Sequence, residues 1–335
     1  MARGVRRVGR SARAAPPPRP VERVREGSPW VGLGAVITKE MADNLTSTIM
    51  IILEFLIVII AGVTAISAIN NVRANISSDQ FLFLNLFTTG QSPVPAFIEF
   101  LPLLVPLIAI ALAFDSINGE FNKRTMSRIL AQPIYRDALL LGKFLGALFT
   151  LALVLAAIWL LIIGMGLLRL AVPPSGEQVL RMFFLLILTI VYGGIWIALA
   201  MVFSVAFRSP ATAALASMAV WLFFLILWDI LIGLIAQALV TSDPVSQAQV
   251  QLSLSRLSPN TLFGDVLTVL LYPTVRSMSL GYLVFGPPPG AVADAPLSVG
   301  QSLLVAWPEI TGLIAATILL FALAYVLFQR QEIRA

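Results

Sequence analysis

Residues 139–167 read LLLGKFLGALFTLALVLAAIWLLIIGMGL, with one charge, Lys143, in the whole run. As a helix such a run rises about 1.5 Å per residue and overspans a hydrocarbon core of about 30 Å. Few folds can hide it. In lipid every backbone polar group must be satisfied within the chain, so a helical bundle is the expected form. Comparable runs fall at about 48–69, 94–114, 179–207, 211–240 and 305–328, giving six predicted spans. The composition agrees: 12% of the 335 residues are charged, against about 25% in a soluble domain, and the mean hydropathy is +0.93. The expected fold class is all-α: a polytopic membrane protein of six transmembrane helices, occupying one domain over 30–335.

The absence of Cys and His removes disulfides, thiol nucleophiles and imidazole or zinc chemistry from consideration. The sequence pI is about 10. Its sense depends on where the bases lie. The first forty residues, the 114–144 loop, Arg208 and the tail QRQEIRA hold 17 of the 22 Lys and Arg, leaving Arg73, Arg169, Arg181, Arg256 and Arg276 for the other side. The positive-inside rule therefore predicts cytoplasmic N- and C-termini in a multi-pass plasma-membrane protein. These bases are expected to meet lipid headgroups, and nucleic acid is not an expected partner. Residues 1–29, rich in Arg and Pro without an apolar core, read as a disordered basic tail rather than a cleavable signal. The following VGLGAVITKEMADNLTSTIM predicts an amphipathic interfacial helix.

The second predicted span carries Pro102 and Pro106, and each proline removes a backbone donor that neighbouring helices must replace. FLFLNLFTTG at 81–90 is too short to cross and reads as a re-entrant or interfacial piece. The long segment 241–304 is predicted to lie outside. Within it Ser258-Pro259-Asn260 announce a short external helix.

Charge gathers in FDSINGEFNKRTMSRILAQPIYRDALLLGKF, residues 114–144. Asp115, Glu120 and Asp137 stand there with Lys123, Arg124, Arg128, Arg136 and Lys143. The periodicity predicts a helix over 117–131 with Ile117, Phe121, Met126, Ile129 and Leu130 on one face. Pro133 would end it and Asp137 would cap the next helix, making a helix–turn–helix elbow over 115–138. An apolar face on a loop helix needs something to pack against.

These residues resemble the first cytoplasmic loop of the type 2 ABC exporter permeases, in the branch that includes the nitrous-oxide-reductase maturation permease. That pattern runs Phe-Asp/Glu, Gly-Glu, Gly-Thr, Pro-x-x-Arg and Gly-Lys. It appears here as Phe114-Asp115, Gly119-Glu120, Arg124-Thr125, Pro133-Ile134-Tyr135-Arg136 and Gly142-Lys143. It departs at Arg124, where the family usually has glycine, and at Asn122, where a second acid is common. The resemblance implies a coupling helix that docks on a separate cytoplasmic ABC ATPase, with Asp115, Gly119, Glu120, Arg128, Pro133, Arg136, Asp137 and Lys143 serving the coupling. It also implies a second permease copy, as a homodimer, and export of a substrate. No GxxxxGK[ST] occurs in the chain, so ATP and magnesium would be bound by the partner, and this chain would carry no cofactor, no metal and no catalytic site.

Two acids fall inside predicted spans, Glu54 and Asp229. Each must face protein or water, or be protonated, because a bare charge in lipid is costly. They suit either a polar path or an interhelical contact. Two alternatives stay open: an ion- or proton-coupled carrier using these acids, and an ATP-driven mechanotransmitter that moves an external partner without translocation. The tryptophans Trp221, Trp228 and Trp307 read as packing and interfacial anchors.

Overall fold

The computed structural model describes residue 30 and residues 32–74, 81–125, 135–240, 244–273 and 296–330. The basic tail 1–29 lies outside these residues, as do Arg128 and Pro133. Among the described residues there is no strand, and six helices are long and apolar enough to cross a membrane.

A short helix α1 (Leu33–Leu45) precedes the first span, α2 (Thr48–Ala74). After one turn of helix, α3 (Asn85–Thr88), the second span α4 (Phe97–Ala113) returns to the α1 end and runs into α5 (Asn118–Asn122). The spans α6 (Arg136–Leu170) and α7 (Gly176–Ala206) follow. The fifth span is interrupted: α8 (Pro210–Leu222), a π-helical turn at Phe223–Leu227, then α9 (Trp228–Leu239). Among the described residues, the short helices α10 (Pro244–Ser255), α11 (Pro259–Leu271) and α12 (Val299–Val305) lie between it and the last span, α13 (Trp307–Arg330).

The termini of these elements follow local chemistry. Ser175 and Gln178 form a reciprocal capping box at the start of α7, and Ser298 and Gln301 repeat it at α12. Ser258 accepts from the Asn260 N–H with Pro259 in the first turn, the start read from the sequence.

The middle of α7 is enclosed, with Tyr192 through Met201 all buried. It packs against α4, α6, α8, α11 and α13. By contrast, about a tenth of the most apolar stretch of α8–α9 and of α13 is covered, so these helices offer broad apolar faces to their surroundings. Trp307, 61% exposed, stands at the start of one such face.

The proline-rich span shows how lost hydrogen bonds are replaced. Pro106 has no N–H to give the Pro102 carbonyl four residues back. That carbonyl instead accepts from Trp221 Nε1 at 3.4 Å, with Tyr192 Oη beside it at the same distance. Tyr192 also donates to Asn260 Oδ1 at 2.7 Å and stacks on Phe263 at 4.1 Å. The helix α11 is thus held along α7, with Asn260 beside Tyr192 at one end and the Leu270 carbonyl on Arg181 Nη1, at 2.8 Å, at the other. Arg181 is fully buried, and its guanidinium also binds Glu177, Ser302 Oγ and the Leu297 carbonyl. The helices α11 and α12 are therefore built into the bundle. The 81–90 piece likewise packs inward: Phe87 meets Phe97 and Trp159.

One expectation is corrected. The helix expected over 117–131 ends at Asn122, because Arg124 adopts a left-handed backbone, φ 55°. The Thr125 N–H bonds the Glu120 carbonyl and the Arg124 N–H bonds the Phe121 carbonyl, a Schellman stop. Met126, Ile129 and Leu130 lie outside the described residues.

Candidate functional site

The charged loop is an ion-paired clasp at the end of the bundle that also carries α1. Its foundation is glycine spacing. A Cβ on Gly142 would lie 2.7 Å from Val36 Cγ1, and one on Gly146 2.7 Å from Glu40 Cβ. The Gly142-x-x-x-Gly146 stripe on α6 therefore lets α1 pack nearly backbone to backbone, as small residues do between membrane helices.

That approach brings Glu40 to Lys143. The Lys143 ammonium, 2% exposed, lies 2.8 Å from Glu40 Oε1 and 3.4 Å from Glu120 Oε1. Lys39 reaches the same carboxylates, at 3.1 and 3.5 Å, and bonds Asp43 at 2.9 Å. Burial alone would pull the Lys39 ammonium down, but Asp43 and Glu40 outweigh it and hold it above the ordinary lysine range. Glu120 also accepts from the Thr125 hydroxyl. A lone buried ammonium would be costly, and two carboxylates around it offset that cost.

The helix α6 has 35 residues, about 52 Å at 1.5 Å per residue, well beyond a 30 Å core. Its first turns, with Lys143, can therefore stand at headgroup level, where a charged clasp is tolerable.

The start of α5 is docked on the end of α7. Ser204 Oγ accepts from the Ile117 and Asn118 N–H groups at 3.0 and 3.3 Å, satisfying donors that a helix start leaves open. Asn118 Nδ2 donates to the Phe207 carbonyl and Asn122 Nδ2 to the Arg208 carbonyl. Asp137 was expected as a cap, but Tyr135 holds the N-cap position of α6 and Asp137 lies in its first turn. The Asp137 carboxylate accepts instead from Tyr325 Oη, at 3.1 Å, and from Gln329 Nε2, tying α6 to the end of α13.

Of the site residues read from the sequence, Glu120 and Lys143 are thus joined directly. Asp115 lines the same recess and Gly119 packs over Asp115. Arg136 opens α6, and Asp137 faces α13. Arg128 and Pro133 lie outside the described residues. Lys39 and Glu40 stood out only as charges of the expected interfacial helix, and Ser204, Tyr325 and Gln329 not at all. The Gly142-x-x-x-Gly146 spacing is the sequence signal that could have found a close neighbour for α6.

The two intramembrane acids do not meet. Glu54, half-buried, lines an apolar groove of about 270 Å³ between α2 and α6, with Val58, Leu153 and Leu161, and its Oε1 has no partner. Asp229 is exposed on α9, immediately after the π turn. Among the described residues no group of three or more acids is arranged to hold a metal ion.

The sequence model described as ABC-2 family transporter protein matches residues 34–333. The chain belongs to this family. Two curated relatives are similar to it, both called probable ABC transporter permease protein NosY. That of Stutzerimonas stutzeri is 26% identical over 202 residues, covering 59% of this chain and 68% of the relative. That of Pseudomonas aeruginosa is 33% identical over 150 residues, covering 43% and 52%. As an ABC-2 family member the chain is a multi-pass membrane permease of the ABC transporter class, and the family implies an ABC ATPase as partner. The Glu120–Lys143–Glu40 clasp lies within the matched residues.

Proposed function

We propose that the chain is the membrane-spanning subunit of an ATP-driven exporter, and that the clasp receives the stroke of a separate cytoplasmic ABC ATPase, which binds ATP and magnesium. The supporting observation is that one loop, 115–125, is bonded to α1 and α6 through Glu120 and to α7 through Ser204. A push on such a loop moves three helices at once. In this reading the clasp end, with both termini, faces the cytoplasm of a plasma-membrane protein, in line with the positions of the Lys and Arg residues. Residues 30–335 act as one permease domain behind the basic tail.

A second copy of the chain completes the unit. An exposed Asp229 on a membrane helix is costly against lipid, and a homodimer offers it cover. The rest of the apolar surface meets membrane lipids. A gradient-driven carrier is less well supported, because Glu54 and Asp229 share no path. Mechanical action on an external partner gains from α10, a polar helix without a charged residue whose Gln249, Gln251 and Ser253 are exposed.

The test is affinity purification of tagged protein from its own membrane, followed by mass spectrometry and an ATPase assay. A stoichiometric P-loop protein, lost in Glu120→Ala or Arg128→Glu, is the expected result. Normal transport and retention of the partner in both variants would remove the coupling role.

A further inference from the structure

Beside the clasp is a recess of about 400 Å³ between α1, the first turn of α2, the end of α4 and α5. Its position is set by helix ends: Ser47 and Ile49 flank the start of α2, and Ala111 and Phe114 lie at the end of α4. The recess thus opens at the edge of the bilayer, with polar and charged walls in which Ile49, Ala111 and Phe114 are the apolar side chains.

The charges on those walls are not equivalent. Glu40 and Glu120 pair with Lys143 and Lys39, and Asp43 with Lys39, so three carboxylates share two ammonium groups. Asp115 has no cation within ion-pair distance among the described residues, although it lines the recess. Lys123, exposed on the rim, likewise has no carboxylate within that distance. Asp115 inside, which feels the Lys123 and Lys143 charges from beyond ion-pair distance, and Lys123 at the mouth form a bipolar site beside Ile49 and Phe114.

We propose that this recess holds the headgroup of a zwitterionic phospholipid bearing a primary amine, with the ammonium on Asp115, the phosphate on Lys123 and the acyl chains passing over Ile49 and Phe114. A carboxylate pairs with a primary ammonium through charge-assisted hydrogen bonds, which a trimethylammonium cannot donate. Choline-type headgroups are recognised by aromatic cages, and Phe114 is the one aromatic residue in this lining. A recess filled in this way gives the clasp a lipid-dependent stiffness. The inference shares the clasp with the coupling reading but does not need the ATPase.

The experiment is native mass spectrometry of the full chain, extracted from vesicles of equal phosphatidylethanolamine and phosphatidylcholine. Wild type is expected to retain the ethanolamine lipid with about tenfold preference, and Asp115→Asn to reduce that preference to about unity. Lys123→Gln, at an exposed position, should lower retention of both lipids. Equal retention of the two lipids by wild type, or a preference unchanged in both variants, overturns the proposal. Displacement of the lipid by millimolar free phosphoethanolamine would show a soluble ligand and overturn the lipid assignment. The ATPase pull-down is read separately, so either reading can fail while the other stands.

Discussion

Lys143 and Glu40 are 103 residues apart in the chain, yet the ammonium and the carboxylate meet at 2.8 Å. This pair fastens α1 to α6, and Glu120 extends it to α5. The loop is held by bonds that begin outside it.

Breaking the pair from one side should be costly. Glu40→Ala leaves the buried Lys143 with Glu120 alone at 3.4 Å. Losses of about 3–5 kcal/mol are usual when one partner of a buried pair is removed. Lys143→Met, which removes the buried cation, should cost less. Thermal unfolding in detergent measures both, and the order Glu40→Ala worse than Lys143→Met is the expected outcome.

The left-handed residue Arg124 gives a prediction of opposite sign. An L side chain in that conformation costs about 1 kcal/mol relative to glycine. Arg124→Gly should therefore raise the unfolding midpoint or leave it unchanged, provided Arg124 makes no contact of its own with the ATPase. A lowered midpoint would mean that the side chain stabilises the loop.

The Pro102 carbonyl is tested by a double-mutant cycle. Trp221→Phe removes its indole donor and should cost about 1 kcal/mol, the usual worth of such a bond. In a Pro106→Ala background the helix regains its own N–H donor, and the same change should cost measurably less. Equal costs in both backgrounds would disprove the replacement of the missing bond by Trp221.

Asp265 makes stability depend on pH. Its carboxyl is pushed up to about 6 by burial and by Glu309 nearby, against the opposing pull of Arg256 at 3.6 Å. Arg256 also reaches Glu309 at 3.4 Å, so one guanidinium serves two acids. With the folded value raised, the native state binds more protons than the unfolded chain between the ordinary aspartate range and about pH 6. Stability from this group is therefore present at low pH and lost as pH rises through about 6. Unfolding midpoints at pH 5 and pH 7.5 should differ in wild type, and the difference should shrink in Asp265→Asn.

The six spans were legible because a bilayer imposes a local criterion: about twenty apolar residues in succession can be counted along the chain. Capping serines and the Ser258-Pro259-Asn260 start are local in the same way. The helix expected over 117–131 failed for a reason that periodicity does not register. A single residue, Arg124, takes a backbone conformation that side-chain pattern does not reveal.

The clasp was half visible. Charge concentration pointed to the loop, and Glu120 and Lys143 were among its residues. Glu40, Ser204, Tyr325 and Gln329 were not, because each meets the loop only after long stretches of chain have folded back. Whether Asp137 caps its own helix or bonds Tyr325 depends on how α13 packs, which no spacing encodes. Hydrophobic length and charge asymmetry are properties of contiguous sequence and determined the class, the spans and their order. Which buried charge meets which partner is decided by close approach between distant helices, here the contact of α1 with Gly142 and Gly146, and exists only in the tertiary structure.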